Sequence, residues 1–405
     1  MNIFQAGHPF IIAEVGTAHG GSFEEAQKLI DAAAAAGADC VKFQIVYAEE
    51  ILHPETGFVD LPGGKIRLYD RFKELEVPKN FFYKCKDYCQ TCGVGFCASP
   101  FGIESFNDLM AMRPFAVKIA SPELNHTPLL SHIASHCGET PLILSSGVSK
   151  LKDIEKALET IEAAQHGRNK SEIALLHCVT SYPAPATDYN LRLLENLSAI
   201  FGISCGVSDH SLDPILVPVL ATASGACIIE KHICLDKNAG GLDDPVALPP
   251  DDFEKMVKAV RKAENMPKSE VILELSEQFG SETVSKCLGD GIKRLAKSEE
   301  ANYTRTNRSI HFLRDMQQGQ KITSDDVAIL HTEKVLEPGI EPHYIDQVIG
   351  SFLPKDAKAG EGLNWNHLTI TDETIKQKPA EIIKNPKIKL PKTGLLIKSM
   401  KKLEK

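Results

Sequence analysis

Eight short apolar runs punctuate the first 265 or so residues and restrict the possible folds more than any other feature. They begin near Phe10 (FIIAEVG), Cys40 (CVKFQIV), Val94 (VGFCAS), Ala116 (AVKIAS), Pro141 (PLILSS), Ile173 (IALLHCV), Ile203 (ISCGVSD) and Cys227 (CIIEKHI). Each is about six residues long and rich in β-branched side chains, as parallel strands covered on both faces are. Amphipathic stretches such as 23–36 and 153–164 lie between them; Ser22 stands at the N-cap of the first and Gly37 at its C′ stop. Units recurring roughly every 22 to 32 residues predict an α/β chain folded as a (β/α)8 TIM barrel over residues 1–264. An open doubly wound sheet is the competing architecture, but GTAHGG at 16–21 is not the G-x-G-x-x-G turn such sheets use. One interval is longer. Residues 47–80 insert a Gly/Pro-bearing segment between the second and third strands, on the side of a barrel where loops line the active site, which makes it a candidate lid.

Residues 265–306 are charged and predict a helical linker. Residues 307–371 carry short strand-like runs and many Gly/Pro turns, a small β-rich unit with too little apolar length for a large core. About 65 residues bury a modest fraction of their surface, so this unit is expected to dock on a barrel, its own or a neighbour's. Residues 372–405 hold ten lysines against four acids, a net of +6 that leaves about −15 on the rest, and read as a mobile Lys/Pro-rich tail. Over the 405 residues, 43% hydrophobic and 24% charged content excludes disorder as the main theme. No apolar run approaches the ~20 residues of a membrane span, and MNIFQAGHPF lacks signal-peptide character. Eleven cysteines, an odd number, then predict reduced thiols in the cytoplasm. A formal charge of −9 argues against a nucleic-acid partner.

Polar residues fall where a barrel keeps its chemistry, at the C-terminal ends of strands. Glu14 ends the first. Lys42 and Gln44, two apart on the second, share its inward face. Ser99 ends the third; Lys118 ends the fourth, with Ser121 and Glu123 beyond it. Ser145 ends the fifth, and Thr180 and Tyr182 follow the sixth. Ser208, Asp209 and His210 end the seventh, and Glu230 and His232 the eighth. Any one of these fits a structural ion pair or cap, but so many at one rim point to a site, because buried charge is costly unless paired or used. Two lysines with four small hydroxyls suit a phosphate. Histidines on adjacent strands suit a divalent metal with open positions, and carboxylates can complete its shell or act as acid and base.

The segments IAEVGTAHGG, AGADCVKFQ, CASPF, VKIASPE, LSSGV, LLHCVTSYPAP, GVSDHS and GACIIEKHICLD, in this order, resemble the sialic acid synthase family. The resemblance runs from about 10 to 264 and resumes at 307–368, which is similar to that family's C-terminal antifreeze-like (SAF) domain. It implies condensation of phosphoenolpyruvate with an N-acetylated hexosamine, giving a nine-carbon nonulosonic acid and phosphate. It also implies a homodimer in which each small domain caps the partner's barrel. Lys118, Ser121, Ser145 and Ser208 match the phosphate-holding positions, and His210 and His232 the ligands of a divalent metal (Mn2+, Mg2+ or Co2+). Glu14, Lys42, Gln44, Glu123, Tyr182, Glu230 and Asp243 match positions around the sugar and reacting carbons. The implied roles are catalytic for Glu14, Lys42, Glu123 and Glu230. Substrate contact falls to Gln44, Ser99, Thr180, Tyr182 and Asp243 with the phosphate group.

The chain also departs from the pattern. S-G-E becomes Ser121-Pro122-Glu123, a frequent Asn becomes Thr180, and Gly241-Leu242-Asp243-Asp244 replaces a G-P-D-H-like turn. The small domain's R-P-G turn, whose arginine reaches the sugar, is replaced by residues 331–339 (HTEKVLEPG), which contain no arginine. Arg308 matches only the R-S at the domain's start. These changes bear on the sugar more than on the reaction.

Other readings find less support. Cys85, Cys89 and Cys92 have the C-x3-C-x2-C spacing of iron–sulfur radical enzymes, but spacings of four and three put them on one helix face, as core residues. His19 and the His177–Cys178 pair are expected to pack at strand ends. A related phosphoenolpyruvate-using 2-keto-3-deoxy sugar acid synthase would need added Arg or Lys at the mouth for a phosphorylated sugar. A non-catalytic carbohydrate-binding protein would have no use for the charged rim.

Overall fold

The computed structural model describes residues 4, 8–61, 64–167, 170–333 and 335–368, so the tail at 372–405 lies outside the described residues. The eight apolar runs form β1 (Phe10–Gly16), β2 (Cys40–Ile45), β3 (Gly95–Pro100), β4 (Ala116–Ile119), β5 (Leu142–Ser145), β6 (Ile173–Cys178), β7 (Ser204–Asp209) and β8 (Ile228–His232). Each pairs in parallel with its neighbour in the chain, and β8 closes on β1 in a register running from Phe10↔Ile228 to Glu14↔His232. This is a closed (β/α)8 barrel. The helix Phe23–Ala36 shows how the sequence sets local limits. The Ser22 side chain accepts from the Glu25 amide, and Gly37 ends the helix at φ 90°, a left-handed conformation that favours glycine.

Side-chain alternation splits the strands into two faces. Val41, Phe43, Phe96, Val117, Leu142, Leu144, Leu175 and Val207 point outward into a large core shared with the helices. Ile12, Cys40, Cys97, Ala116, Ile143, Ala174, Leu176 and Ile228 point inward, with Phe4, and fill the barrel's lower half. The same inward parity, continued one step up each strand, delivers Glu14, Lys42, Ser99, Lys118, Ser145, Ser208 and Glu230 to the upper end. Asp209 and Lys231 have the opposite parity. They face away from the barrel axis and pair at 2.6 Å, fully buried, a structural ion pair.

The 47–80 insertion folds into a short helix (Ala48–Ile51), a two-stranded hairpin (Phe58–Leu61 with Gly64–Arg67) and the helix Leu68–Glu74. Ile51, Leu52 and Leu68 form a small apolar cluster with Val46 and Phe101, on which Phe72 and Leu75 pack. After the barrel, helices Lys268–Phe279 and Ser281–Leu288 bury Val271, Leu275, Val284 and Leu288 against it. Farther on, the Glu299 carboxylate accepts from the amides of Val148 and Thr180, both at 2.9 Å, stitching the loops after β5 and β6 together.

The small domain is built on an antiparallel pair, β9 (Arg308–Phe312) and β10 (Val327–His331), around its own core of Ile310, Phe312, Ile322, Val348, Leu353 and Leu363. Within the single chain it caps its own barrel, whereas the resemblance implies a cap from a partner. The Asn125 side-chain amide accepts from Arg308 N (3.0 Å) and donates to Arg308 O (2.8 Å), mimicking a strand neighbour. His331 forms a parallel bridge with Leu52 of the insertion.

Candidate active site

At the top of the barrel lies a cavity of about 260 Å3. Fourteen of the fifteen residues singled out in the sequence line it: Glu14, Lys42, Gln44, Ser99, Lys118, Ser121, Ser145, Thr180, Tyr182, Ser208, His210, Glu230, His232 and Asp243. A single polar network joins most of its floor. Lys42 Nζ lies 2.8 Å from Glu14 and 3.8 Å from Glu230, and donates to Ser99 Oγ at 3.4 Å. Lys118 Nζ donates to Ser145 Oγ at 2.7 Å and lies 3.8 Å from Glu230. Ser208 Oγ donates to Glu230 Oε1 at 2.9 Å, and Gln44 Nε2 to Glu14 Oε1 at 3.0 Å. The ammoniums and carboxylates are nearly inaccessible, so they are held here by one another.

Their environments push the two carboxyls apart. At Glu14 burial dominates and raises the carboxyl above its ordinary range, with Lys42 opposing. At Glu230 burial also acts upward, but Lys118, Lys42 and the Ser208 hydroxyl outweigh it and hold the group at about 2. Burial lowers Lys118, against the attraction of Glu230. Two polar atoms that face the cavity, Thr180 Oγ1 and Glu230 Oε2, are buried without a hydrogen-bond partner. A ligand that brings its own donors and acceptors would satisfy them.

The histidines stand beside this network. The His210 and His232 rings are 5.5 Å apart, and Tyr182 stacks on His210 at 4.2 Å. His210 Nδ1 donates to Val179 O at 2.9 Å, which turns Nε2 toward the Tyr182 hydroxyl, 3.2 Å away. A backbone carbonyl on one ring nitrogen is how metal-binding imidazoles are commonly oriented. Burial lowers His232 to about 4, so it is neutral with a lone pair free at neutral pH. Burial would lower His210 too, but the Cys178 sulfur, 3.7 Å from Nδ1, and the Val179 carbonyl raise it to about 9. A bound cation would displace that proton. Among the described residues no cluster of three or more His, Cys, Asp or Glu is arranged to hold a metal. The pair therefore suits a cation that takes its remaining ligands from water and substrate.

Glu123 is the exception. It does not line the cavity. Its carboxylate lies fully buried between Arg308 Nε (2.6 Å) and His331 Nε2 (2.9 Å) of the small domain. Burial would raise its pKa, but these partners outweigh burial and hold it at about 2. So engaged, and outside the cavity lining, Glu123 clasps the small domain to the barrel, and this geometry lends no support to the catalytic role expected for it. Arg308 completes the clasp by donating to the carbonyls of Glu50, Phe101 and Ile329. In the C-x3-C-x2-C run, Cys92 is the partly buried C-cap residue and only the other two are core residues. Cys85 and Cys89 are buried in the helix Lys79–Thr91, and burial raises both thiols.

Several lining residues were not assigned to the site from the sequence: Thr17, Cys178, Thr306, His331 and Glu333, with Phe72 and Leu75 of the insertion. His331 and Glu333 arrive from the small domain, and no spacing within the barrel announces them.

Fold and site together define a barrel enzyme whose floor pairs two lysines with two carboxyls, capped by a small β domain. Matches to known proteins sharpen that class. The NeuB family profile matches residues 29–271 and the SAF domain profile residues 307–369. The chain belongs to the NeuB family. It is 34% identical to the spore coat polysaccharide biosynthesis protein SpsE of Bacillus subtilis, over 91% of this chain and 95% of that one. The crystal structure of SpsE superposes with a TM-score of 0.74, covering 90% of this chain and 96% of that one. It is also 31% identical to the N,N'-diacetyllegionaminic acid synthase of Legionella pneumophila, over 89% and 94% of the two chains.

Proposed function

We propose that this chain condenses phosphoenolpyruvate with the open-chain aldehyde of an N-acetylated hexosamine, giving a nonulosonic acid and phosphate. One observation carries the reading. Two lysines and the hydroxyls of Ser99, Ser145 and Ser208 converge with two opposed carboxyls in one cavity, beside a pair of imidazoles. Family membership supports it, as do relatives named legionaminic, pseudaminic and N-acetylneuraminate-9-phosphate synthases.

Lys118 and the serines would hold the phosphate, and Lys42 the neighbouring charge, fixing the enol carbon against the aldehyde. A divalent cation (Mn2+, Mg2+ or Co2+) held by His210 and His232 would supply Lewis-acid polarisation of the aldehyde oxygen. Glu14, raised by burial, suits proton donation to the developing alkoxide. Glu230, held ionised by Lys118 and Lys42, would orient the water that adds to the former enol carbon, whose protons restore Glu14 and leave with the phosphate. Phosphate then leaves the tetrahedral centre, its charge offset by Lys118. Two copies that exchange small domains would use the contacts made here within one chain, and a homodimer is part of the proposal.

Phosphate release from phosphoenolpyruvate across a panel of amino-sugar acceptors, with and without chelator, tests the reading. The expected result is acceptor-dependent release that stops on chelation and returns with Mn2+. Release that ignores chelator would remove the metal role, and release with no acceptor in the panel would remove the synthase.

A further inference from the structure

The cavity is electrostatically lopsided. On its floor two lysines meet two glutamates. Beyond the lysines, Asp243 Oδ2 lies 3.9 Å from His232 Nδ1, Glu333 enters at the mouth from the small domain, and among the described lining residues no further lysine or arginine accompanies them. Glu333 belongs to the small domain and lies in the stretch where the family resemblance leads one to expect an arginine. Its placement is enforced. Its backbone is left-handed at φ 54°, a region that non-glycine residues rarely occupy. Its amide donates to Arg305 O at 3.1 Å, and Arg305 Nη1 donates back to Glu333 O at 3.3 Å. The Arg305 guanidinium also reaches the Leu336 carbonyl and the Glu337 carboxylate. The Glu333 carboxylate, 18% exposed, has its Oε1 3.7 Å from His331 Nδ1. An apolar wall is made by Ile51, Phe72 and Leu75 of the insertion with Val46 and Phe101.

On the synthase reading above, the acceptor's first carbon bonds to the enol carbon on the floor, so its far end points to this mouth. We infer that Glu333, with Asp243, is a specificity determinant that excludes phosphorylated acceptors and selects an uncharged amino sugar. Its N–H and O–H donors face the two carboxylates, and its methyl groups, acyl or 6-deoxy, lie against Phe72 and Leu75. Two carboxylates facing a dianionic phosphate ester disfavour it by roughly tenfold or more for each like charge. An apolar wall that prefers a methyl to a hydroxymethyl adds about ten- to hundredfold.

The test compares kcat/KM of the full-length wild type and the Glu333→Gln and Glu333→Arg variants. The acceptors are N-acetylmannosamine, its 6-phosphate and a 6-deoxy diacetamido hexose. The wild type is expected to favour both uncharged sugars over the 6-phosphate by roughly a hundredfold. Glu333→Arg should raise turnover of the 6-phosphate about tenfold or more and lower that of the uncharged sugars, with KM for phosphoenolpyruvate unchanged. Thermal melts establish that the variants fold, and Glu333→Gln gives the charge effect alone if the arginine misfolds. A wild type that prefers the 6-phosphate, or variants whose acceptor ratio does not move, would overturn the inference and leave the synthase standing. No phosphate release with any acceptor would remove the synthase reading and the inference with it.

Discussion

The clasp between Arg308 and Glu123 offers a quantitative test of how the small domain is held. Arg308 is fully buried and satisfies its guanidinium with one carboxylate and several main-chain carbonyls. Replacing it by Met leaves Glu123 ionised in a dry site with only His331 beside it. A carboxyl held at about 2 instead of its usual 4.5 corresponds to about 3 kcal/mol favouring the charged form. Removing one partner of a buried pair costs roughly 3–5 kcal/mol, so the two routes agree. Arg308→Met should therefore lose about that much stability in urea unfolding near neutral pH, followed by circular dichroism. Glu123→Gln with Arg308→Met should recover part of the loss, because no unpaired charge remains. The pH dependence has a definite sign. The folded pKa lies below the unfolded one, so the stabilisation is complete above about 4.5 and fades as pH falls toward 2. The gap between wild type and Arg308→Met should narrow over that window. A loss below about 1 kcal/mol, or a gap that stays flat with pH, would refute the clasp.

Other expectations concern the floor and the assembly. Lys118→Ala should lower phosphoenolpyruvate turnover by at least about a hundredfold with the fold retained by circular dichroism; near-normal turnover would remove the phosphate assignment. A Cβ added at Gly147 would stand 2.1 Å from Thr180 Oγ1 and 2.9 Å from Ser121 Oγ, so Gly147→Ala should raise KM for phosphoenolpyruvate more than KM for the sugar, as read from initial rates. Glu14→Gln should cut kcat by roughly 10²–10⁴-fold if Glu14 donates the proton, and single-turnover kinetics would show whether the chemical step carries the loss. Sedimentation should give a dimer; a monomer at assay concentration counts against exchanged caps.

Much of the barrel was legible because doubly buried strands leave unbroken apolar runs, and parity along them assigns each side chain to a face. Lys42 with Gln44 and Glu230 with His232 were read as inward pairs on that ground, and the cavity contains all four. The same parity argument, applied to Asp209 and Lys231, marks them as outward partners. The placement of Glu123 was not legible because it stands just past a strand, on the short 3-10 turn Ser121–Glu123, where parity no longer applies. Its partners lie 185 and 208 residues away, beyond the reach of any local pattern. His331 and Glu333 escaped notice for the same reason, since only the docking of two separately cored units brings them to the mouth. The apolar insertion was legible as an addition near the site, but not the wall it forms with Phe72 and Leu75.

Because Arg308 follows Glu123 by 185 residues, a growing polypeptide presents the carboxylate long before its counter-charge leaves the ribosome. The barrel can close first, with its rim still open to solvent and that acid hydrated. Only when the final quarter of the chain emerges does the guanidinium arrive, and the mouth gains its full set of walls. A chain cut short after the eighth strand would carry the floor without the walls that His331 and Glu333 add.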